Sequence, residues 1–382
     1  MPTTTALAID LGDHEVLVGE GFLAGARLSV DEGRIVAIDG GSVRDEPRPG
    51  RPLALPGLVD LHGDAFERAL CPRPGVTLPV AMALAENDHA LLAAGITTFF
   101  FSVTDSFEPG LRSRETCRAF LDGIAAAWET LGCDTRFHLR HEVCLTDGHD
   151  EVMAWLRDGR IDLLSTADHL PEAGEEVKLQ RFVKGVSRRV ALDAAAIETL
   201  VREAVANRAL GRRQEAELCA VARERGIPLA SHDDNSLAAV EASLARGIAI
   251  CEFPENPAIA ERARAAGAAV LMGAPNYVRG GSHVACMGVH EALAAGCVDA
   301  LCSDYHYPSL FHAPFRMVAA GHRDLASAWD LVSGAPARAA GLGETKGRLA
   351  AGADADVITV DVSTAPRLRS VHVGGRCVAS WG

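Results

Sequence analysis

Between about residues 55 and 345 the chain alternates short apolar runs with stretches rich in Ala, Glu and Arg. The runs include Gly95-Ile-Thr-Thr-Phe-Phe-Phe, Arg136-Phe-His-Leu-Arg-His-Glu-Val, Ile161-Asp-Leu-Leu-Ser, Ile227-Pro-Leu-Ala-Ser-His, Ile248-Ala-Ile-Cys-Glu-Phe, Ala269-Val-Leu-Met-Gly and Ala300-Leu-Cys-Ser-Asp. Strand–helix alternation of this length predicts an α/β fold with a parallel sheet. About eight repeats favour a closed (β/α)8 TIM-like barrel over an open doubly wound sheet. The two ends of the chain read differently, as short strands divided by Gly and Asp. Examples are Glu15-Val-Leu-Val, Ala26-Arg-Leu-Ser-Val and Arg34-Ile-Val-Ala-Ile at one end, with Ala355-Asp-Val-Ile-Thr-Val and Ser370-Val-His-Val at the other. They are expected to pair into a small β-sandwich domain from residues 1–54 and 346–382, leaving 55–345 for the barrel. Residues 173–220, charged and helical, read as an excursion after a barrel strand that could serve as a lid.

Charge and cysteine usage narrow the function. Lys plus Arg number 37 against 51 Asp plus Glu, a net charge of −14. Such a surface repels a polymer of phosphates, so no nucleic-acid partner is expected, while a small anionic substrate can still be held by a local basic pocket or a metal. The ten cysteines include no Cys-x-x-Cys pair and read as buried reduced thiols of a cytoplasmic protein. No signal peptide is expected, because the N-terminus lacks a basic segment followed by an apolar one, and no membrane span, because no uninterrupted apolar run reaches about 18 residues. Homo-oligomerisation stays open.

Polar residues cluster at the ends of the apolar runs, which in a barrel form the active face. Leu58-Val-Asp-Leu-His-Gly-Asp ends in His62 and Asp64. At i and i+2 in a strand these side chains point the same way, so an imidazole and a carboxylate can share a cation. Later runs supply Glu142, Asp168 with His169, His232 and Asp304. A lone histidine at a strand end is more often a hydrogen-bonded structural residue. Acidic or imidazole groups closing successive runs are harder to explain that way. The set His62, Asp64, Glu142, His169, His232 and Asp304 suits one or two divalent ions, Zn²⁺ first, with Mn²⁺, Fe²⁺ or Ni²⁺ as alternatives and Ca²⁺ disfavoured.

Asp304 is the candidate catalytic base. Arg140 shares the strand parity of Glu142, whereas His141 does not, so Arg140 is the better candidate to face a substrate. Arg279-Gly280-Gly281-Ser282-His283 combines a guanidinium with a glycine turn whose amides could converge on an anion, a plain loop turn being the alternative. Asp168 and Asp233 are supporting carboxylates. Asp233 and Asp234 are placed to fix the His232 tautomer, and an N-cap is the alternative for Asp233. The run from Glu172 to Arg189 reads by default as a solvated helix face.

These stretches resemble the amidohydrolase superfamily, whose hallmark is a metal pair on a (β/α)8 barrel with a small β-domain built from both chain ends. Pro56-Gly-Leu-Val-Asp-Leu-His-Gly-Asp resembles its first-strand motif and Ser303-Asp304 its last. The nearer resemblance, over almost the whole chain, is to its phosphonate-metabolism branch, the diphosphatases of ribose 5-triphosphates. Leu139-Arg-His-Glu-Val, Ala230-Ser-His-Asp-Asp, Glu252-Phe-Pro, Leu271-Met-Gly-Ala-Pro-Asn, Arg279-Gly-Gly-Ser-His and Ser303-Asp-Tyr carry it. It implies hydrolysis within a 5-triphosphate with release of pyrophosphate, and it matches the six candidate ligands to the metal positions. Glu142 stands where many superfamily members carry a carboxylated lysine. The chain departs from the branch pattern at Gly63 and Ala65, at Leu170-Pro-Glu-Ala-Gly and at Val284-Ala-Cys. Because these flank the expected metals and phosphate pocket, a related phosphorylated ligand is an alternative substrate. A second enzymatic reading is hydrolysis of a cyclic amide or deamination of an amino-heterocycle. The low aromatic content, 5%, leans toward phosphate. A non-catalytic scaffold would have lost ligands, and all six candidates are present.

Overall fold

The structure is a computed structural model describing residues 7–73, 75–171, 174–281 and 287–382. Strands β1 (Leu7–Val18), β2 (Gly21–Asp31), β3 (Arg34–Gly40), β4 (Val43–Arg44) and β5 (Leu53–Pro56) come first. The barrel strands follow: β6 (Leu58–Gly63), β7 (Ile96–Asp105), β8 (Asp134–Glu142), β9 (Leu163–Ala167), β10 (Leu229–His232), β11 (Ile250–Glu252), β12 (Ala269–Gly273) and β13 (Ala300–Cys302). Strands β14 (Val357–Asp361), β15 (Arg367–Val373) and β16 (Arg376–Ser380) close the chain.

Both ends of the chain build one β-unit, as expected, separate from the barrel sheet. Its eight strands form a single connected sheet, ordered β16-β15-β14-β5-β1-β2-β3 with β4 on β2. The joint is β5, which runs parallel to β1 and antiparallel to β14. Period-2 alternation gives this sheet two apolar faces. Val16, Ala54 and Val357 enter a core of the sheet's own, whereas Leu17, Leu53, Leu55 and Ile358 join the main core shared with the barrel. Lys346 ties the units further: its buried Nζ lies 3.0 Å from Asp134 on β8, 3.0 Å from Asp354 and 2.8 Å from Asp356.

Strands β6 to β13 pair in chain order, each parallel to the next. The sheet returns on itself through a Gly63–Asp304 bridge, where Asp304 N donates to His62 O (2.9 Å) and Asp64 N donates to Asp304 O (3.0 Å). One apolar cluster takes Val59, Leu61, Phe100, Leu163, Ala230, Ile250, Leu271, Ala300 and Cys302 from seven of the eight strands, which only a shared lumen allows. The 173–220 excursion divides in two. Helices Glu176–Val186 and Ala194–Ala206 close over a small core of Leu179, Val183, Ile197 and Val201 with Cys144 and Leu170. The third helix, Arg208–Glu224, packs on β9 and β10 as their ordinary crossover. The nine described cysteines are unpaired and seven are buried. No helix among the described residues is long and apolar enough to cross a membrane.

Candidate metal centre

Strand parity builds the site. Ala230 and Ile250 fill the lumen, and two residues further, on the same side, come His232 and Glu252. Asp304 follows Ala300 and Cys302 in the same way. On β8 that side carries His138, Arg140 and Glu142. His138 stays buried, its ring bonded to Ser102 Oγ (3.1 Å) and Ser165 Oγ (2.8 Å) on the adjoining strands. Strand β6 breaks the alternation. Its register against β7 shifts between Asp60 and Gly63, and His62 Nδ1 comes 3.1 Å from Glu252 Oε1 although Leu61 also faces the lumen. Gly63 sits where a Cβ would lie 2.5 Å from the Phe99 ring and 2.9 Å from Ser303 Oγ, which accounts for glycine between His62 and Asp64.

Among the described residues, two donor groups lie within 4.8 Å: His62, His232 and Glu252, and His169, His232 and Asp233. His232 belongs to both. Three of the six residues expected as ligands therefore fall in the groups, and the other three border them. Glu142 accepts from His169 Nδ1. Asp64 lies beyond the end of β6, with Oδ2 3.6 Å from Arg140 Nη1. Asp304 sits at the barrel seam. Glu252 is a candidate donor not singled out from the sequence. The signal was there, since Glu252 closes the run Ile248-Ala-Ile-Cys as the other candidates close theirs.

The supporting residues meet expectation in part. Asp233 does lie against His232, as expected, its Oδ2 3.2 Å from Nδ1, and it also comes 3.3 Å from His169 Nε2, which makes it a candidate metal donor as well. It is no N-cap, because Ser236 caps the helix Leu237–Arg246 by accepting from Ala239 N. Asp234 turns away from His232 to accept from Ser243 Oγ at 3.1 Å. Asp168 faces Arg208 and Arg212 rather than a ligand imidazole. His141 is turned to Asp105, at 2.8 Å, while Arg140 Nη2 lies 2.9 Å from His232 Nε2. Arg140 thus covers a lone pair that a cation would use and must withdraw for that nitrogen to ligate. Arg279 is exposed, with Nη1 donating to Tyr305 OH at 3.2 Å. The amides of Gly280 and Gly281 do not converge on an anion. They donate to Tyr277 O (3.1 Å) and Asn276 O (3.0 Å), and Gly280 at φ 84° ends the helix Ala274–Arg279. Ser282 and His283 lie outside the described residues.

Burial penalises charge across the site, and around His169 the carboxylates outweigh it. Burial, then the Arg140 charge, holds the His62 pKa well below the ordinary range, leaving the neutral imidazole that ligates metals. Burial opposes a charged His169, but Glu142 and Asp233 outweigh it and bring its pKa to about 10. Burial also raises Glu252. Burial, reinforced by Asp64, pushes Asp304 up to about 7. Glu252 Oε2 is buried with no hydrogen-bond partner among the described residues, as a carboxylate oxygen reserved for a cation would be. The imidazole and carboxylate donors fit a divalent ion of the Zn²⁺ or Mn²⁺ kind. Three non-glycine residues at the strand ends, Asp233 (φ 55°), Phe253 (φ 53°) and Asp304 (φ 53°), occupy the left-handed region, a strain that persists where the surroundings over-determine a geometry.

Solved structures of similar fold include a prolidase from Bifidobacterium longum described as putative (16% identity, TM-score 0.61, 98% of this chain and 95% of that one). The N-acetyl-D-glucosamine-6-phosphate deacetylase of Mycobacterium smegmatis is another (17% identity, TM-score 0.60, 98% and 100%). A molinate hydrolase matches at TM-score 0.63 and 14% identity, over 98% of this chain and 95% of that one. No family model matches the chain. The barrel and the sheet made from both chain ends are the fold these structures share, and the sequence identity to the relative described next shows that the chain belongs to the amidohydrolase superfamily. Within the superfamily it is 32% identical over 311 residues, 80% of its length and 82% of the relative's, to the alpha-D-ribose 1-methylphosphonate 5-triphosphate diphosphatase of Escherichia coli (strain K12).

Proposed function

We propose that this chain hydrolyses a phosphoanhydride of a ribose 5-triphosphate-type phosphonate and releases pyrophosphate. The observation that carries the reading is the meeting of two kinds of group at His232: imidazole and carboxylate donors for a cation, and the Arg140 guanidinium for an anion. The similarity to the Escherichia coli diphosphatase supports the substrate class. His62, His232 and Glu252, with His169 and Asp233, would hold one or two divalent ions, Zn²⁺ first. Such ions, when bound, acidify water and draw charge from phosphoryl oxygens.

The side chains supply the rest. Asp304, at the barrel seam, accepts a proton from water as the water oxygen bonds to phosphorus. The phosphorus–oxygen bond to pyrophosphate breaks, the leaving group takes the electron pair, and the proton passes from Asp304 to it. Arg140 swings from His232 to the phosphates, and Arg279, anchored on Tyr305 OH, binds them from the rim. A small phosphorylated metabolite as substrate accords with a cytoplasmic location. A hydrolysis screen with added Zn²⁺ or Mn²⁺ tests the reading, comparing ribose 5-triphosphates and nucleotides with cyclic amides. Pyrophosphate release from the ribose triphosphates is expected. Turnover of a cyclic amide without pyrophosphate release from any triphosphate would overturn it.

A further inference from the structure

His169 is the one residue of the two donor groups whose backbone has left its strand without following it directly. It stands two residues beyond the end of β9. Such a position leaves the ligand loop short of backbone support. The support comes from Arg208, the first residue of the helix Arg208–Glu224. Its Nε donates to Asp168 Oδ2 (2.9 Å), and its Nη2 donates to Asp168 Oδ1 (3.1 Å), Leu170 O (2.8 Å) and Pro171 O (3.1 Å). One guanidinium therefore grips the residues on both sides of His169. Both partners are largely buried, the Arg208 side chain 17% exposed and that of Asp168 10%. The anchor beneath is firm: Leu218, Cys219 and Ala222 of the same helix are buried in the main core. Arg212, also on this helix, adds a contact from its Nη2 to Asp168 (2.8 Å), while its Nη1 holds the buried Glu215 (3.1 Å).

We infer that Arg208 is a positioning residue: through Asp168 and two carbonyls it sets His169 against Asp233 and His232, and so sets the affinity of the second donor group for its ion. The inference rests on the reading of His169 as a ligand. Lysine at 208 would keep the charge but lack the planar fork, so it cannot hold the carboxylate and the carbonyls together.

The test is calorimetric titration of the metal-free protein with Zn²⁺ alone, for wild type, Arg208→Met, Arg208→Lys, Asp168→Asn and His169→Ala, with a thermal melt of each. Arg208→Met is expected to weaken a Zn²⁺ site about 10- to 100-fold, the usual loss when a residue orienting a ligand is removed. Asp168→Asn should weaken it less and Arg208→Lys should restore only part. His169→Ala should lose that site altogether. Wild-type affinity in Arg208→Met, beside loss in His169→Ala, would overturn the positioning role alone. Wild-type affinity in His169→Ala would remove His169 from the ligands, and the inference with it. If Arg208→Met fails to fold, Asp168→Asn decides: an affinity equal to wild type refutes the inference, and a loss at unchanged melting temperature supports it.

Discussion

Asp60 is wholly buried at the seam of the barrel. Its Oδ1 accepts from His62 N (3.3 Å) and from Ser303 N (3.0 Å), joining β6 to the residue after β13. Its Oδ2 has no hydrogen-bond partner among the described residues. Burial raises its pKa from 3.8 to about 7. At 1.36 kcal/mol per pH unit the rise corresponds to about 4 kcal/mol. The folded state prefers a protonated Asp60, so this contribution is whole below pH 3.8 and is lost as the pH rises to about 7. Between pH 5 and pH 8 the loss is about 3 kcal/mol. Asp60→Asn keeps the acceptor for both amides and removes the charge. The stability of the variant relative to wild type should therefore grow by about 3 kcal/mol between pH 5 and pH 8. Urea denaturation of the chelator-treated proteins at several pH values measures this directly. Curves that stay parallel across the range would refute the reasoning, because they would mean that Asp60 ionises in the folded protein as it does in the unfolded chain.

Asp304→Asn should lower kcat about 100- to 10,000-fold while bound metal, measured by elemental analysis, is retained. Arg279→Ala should raise KM for a triphosphate with kcat little changed in steady-state assays, and an unchanged KM would remove Arg279 from the phosphate contacts. Lys346→Met leaves Asp134, Asp354 and Asp356 without their shared cation and should destabilise the protein by about 3–5 kcal/mol in urea denaturation.

Local pattern explains why the barrel could be read from the sequence. Its strands are apolar runs that end in His62, Glu142, His232 or, just beyond, Asp304, and period and position survive without tertiary information. The β-unit was legible as strands but not as one sheet, because the β5 pairings with β1 and β14 join segments hundreds of residues apart in one case. Long-range partners also hid the rest. Arg208 meets Asp168 across 40 residues and His62 meets Glu252 across 190. The Gly280-Gly281 turn looked like an anion nest because sequence does not tell whether an amide is free or already spent on a helix end. The break at Asn207 between the helix Ala194–Ala206 and the crossover helix Arg208–Glu224 left no mark in composition, since charged helical sequence continues through it.

On the proposed reading, separate strands converge to hold divalent ions, with His232 common to both donor groups. Counting the ions retained per chain after dialysis, in wild type and in His232→Ala, tests it most directly. One or two divalent ions are expected in wild type, and a loss of every tightly held ion in the variant. A wild-type protein that keeps none, or a variant that keeps them all, would contradict it.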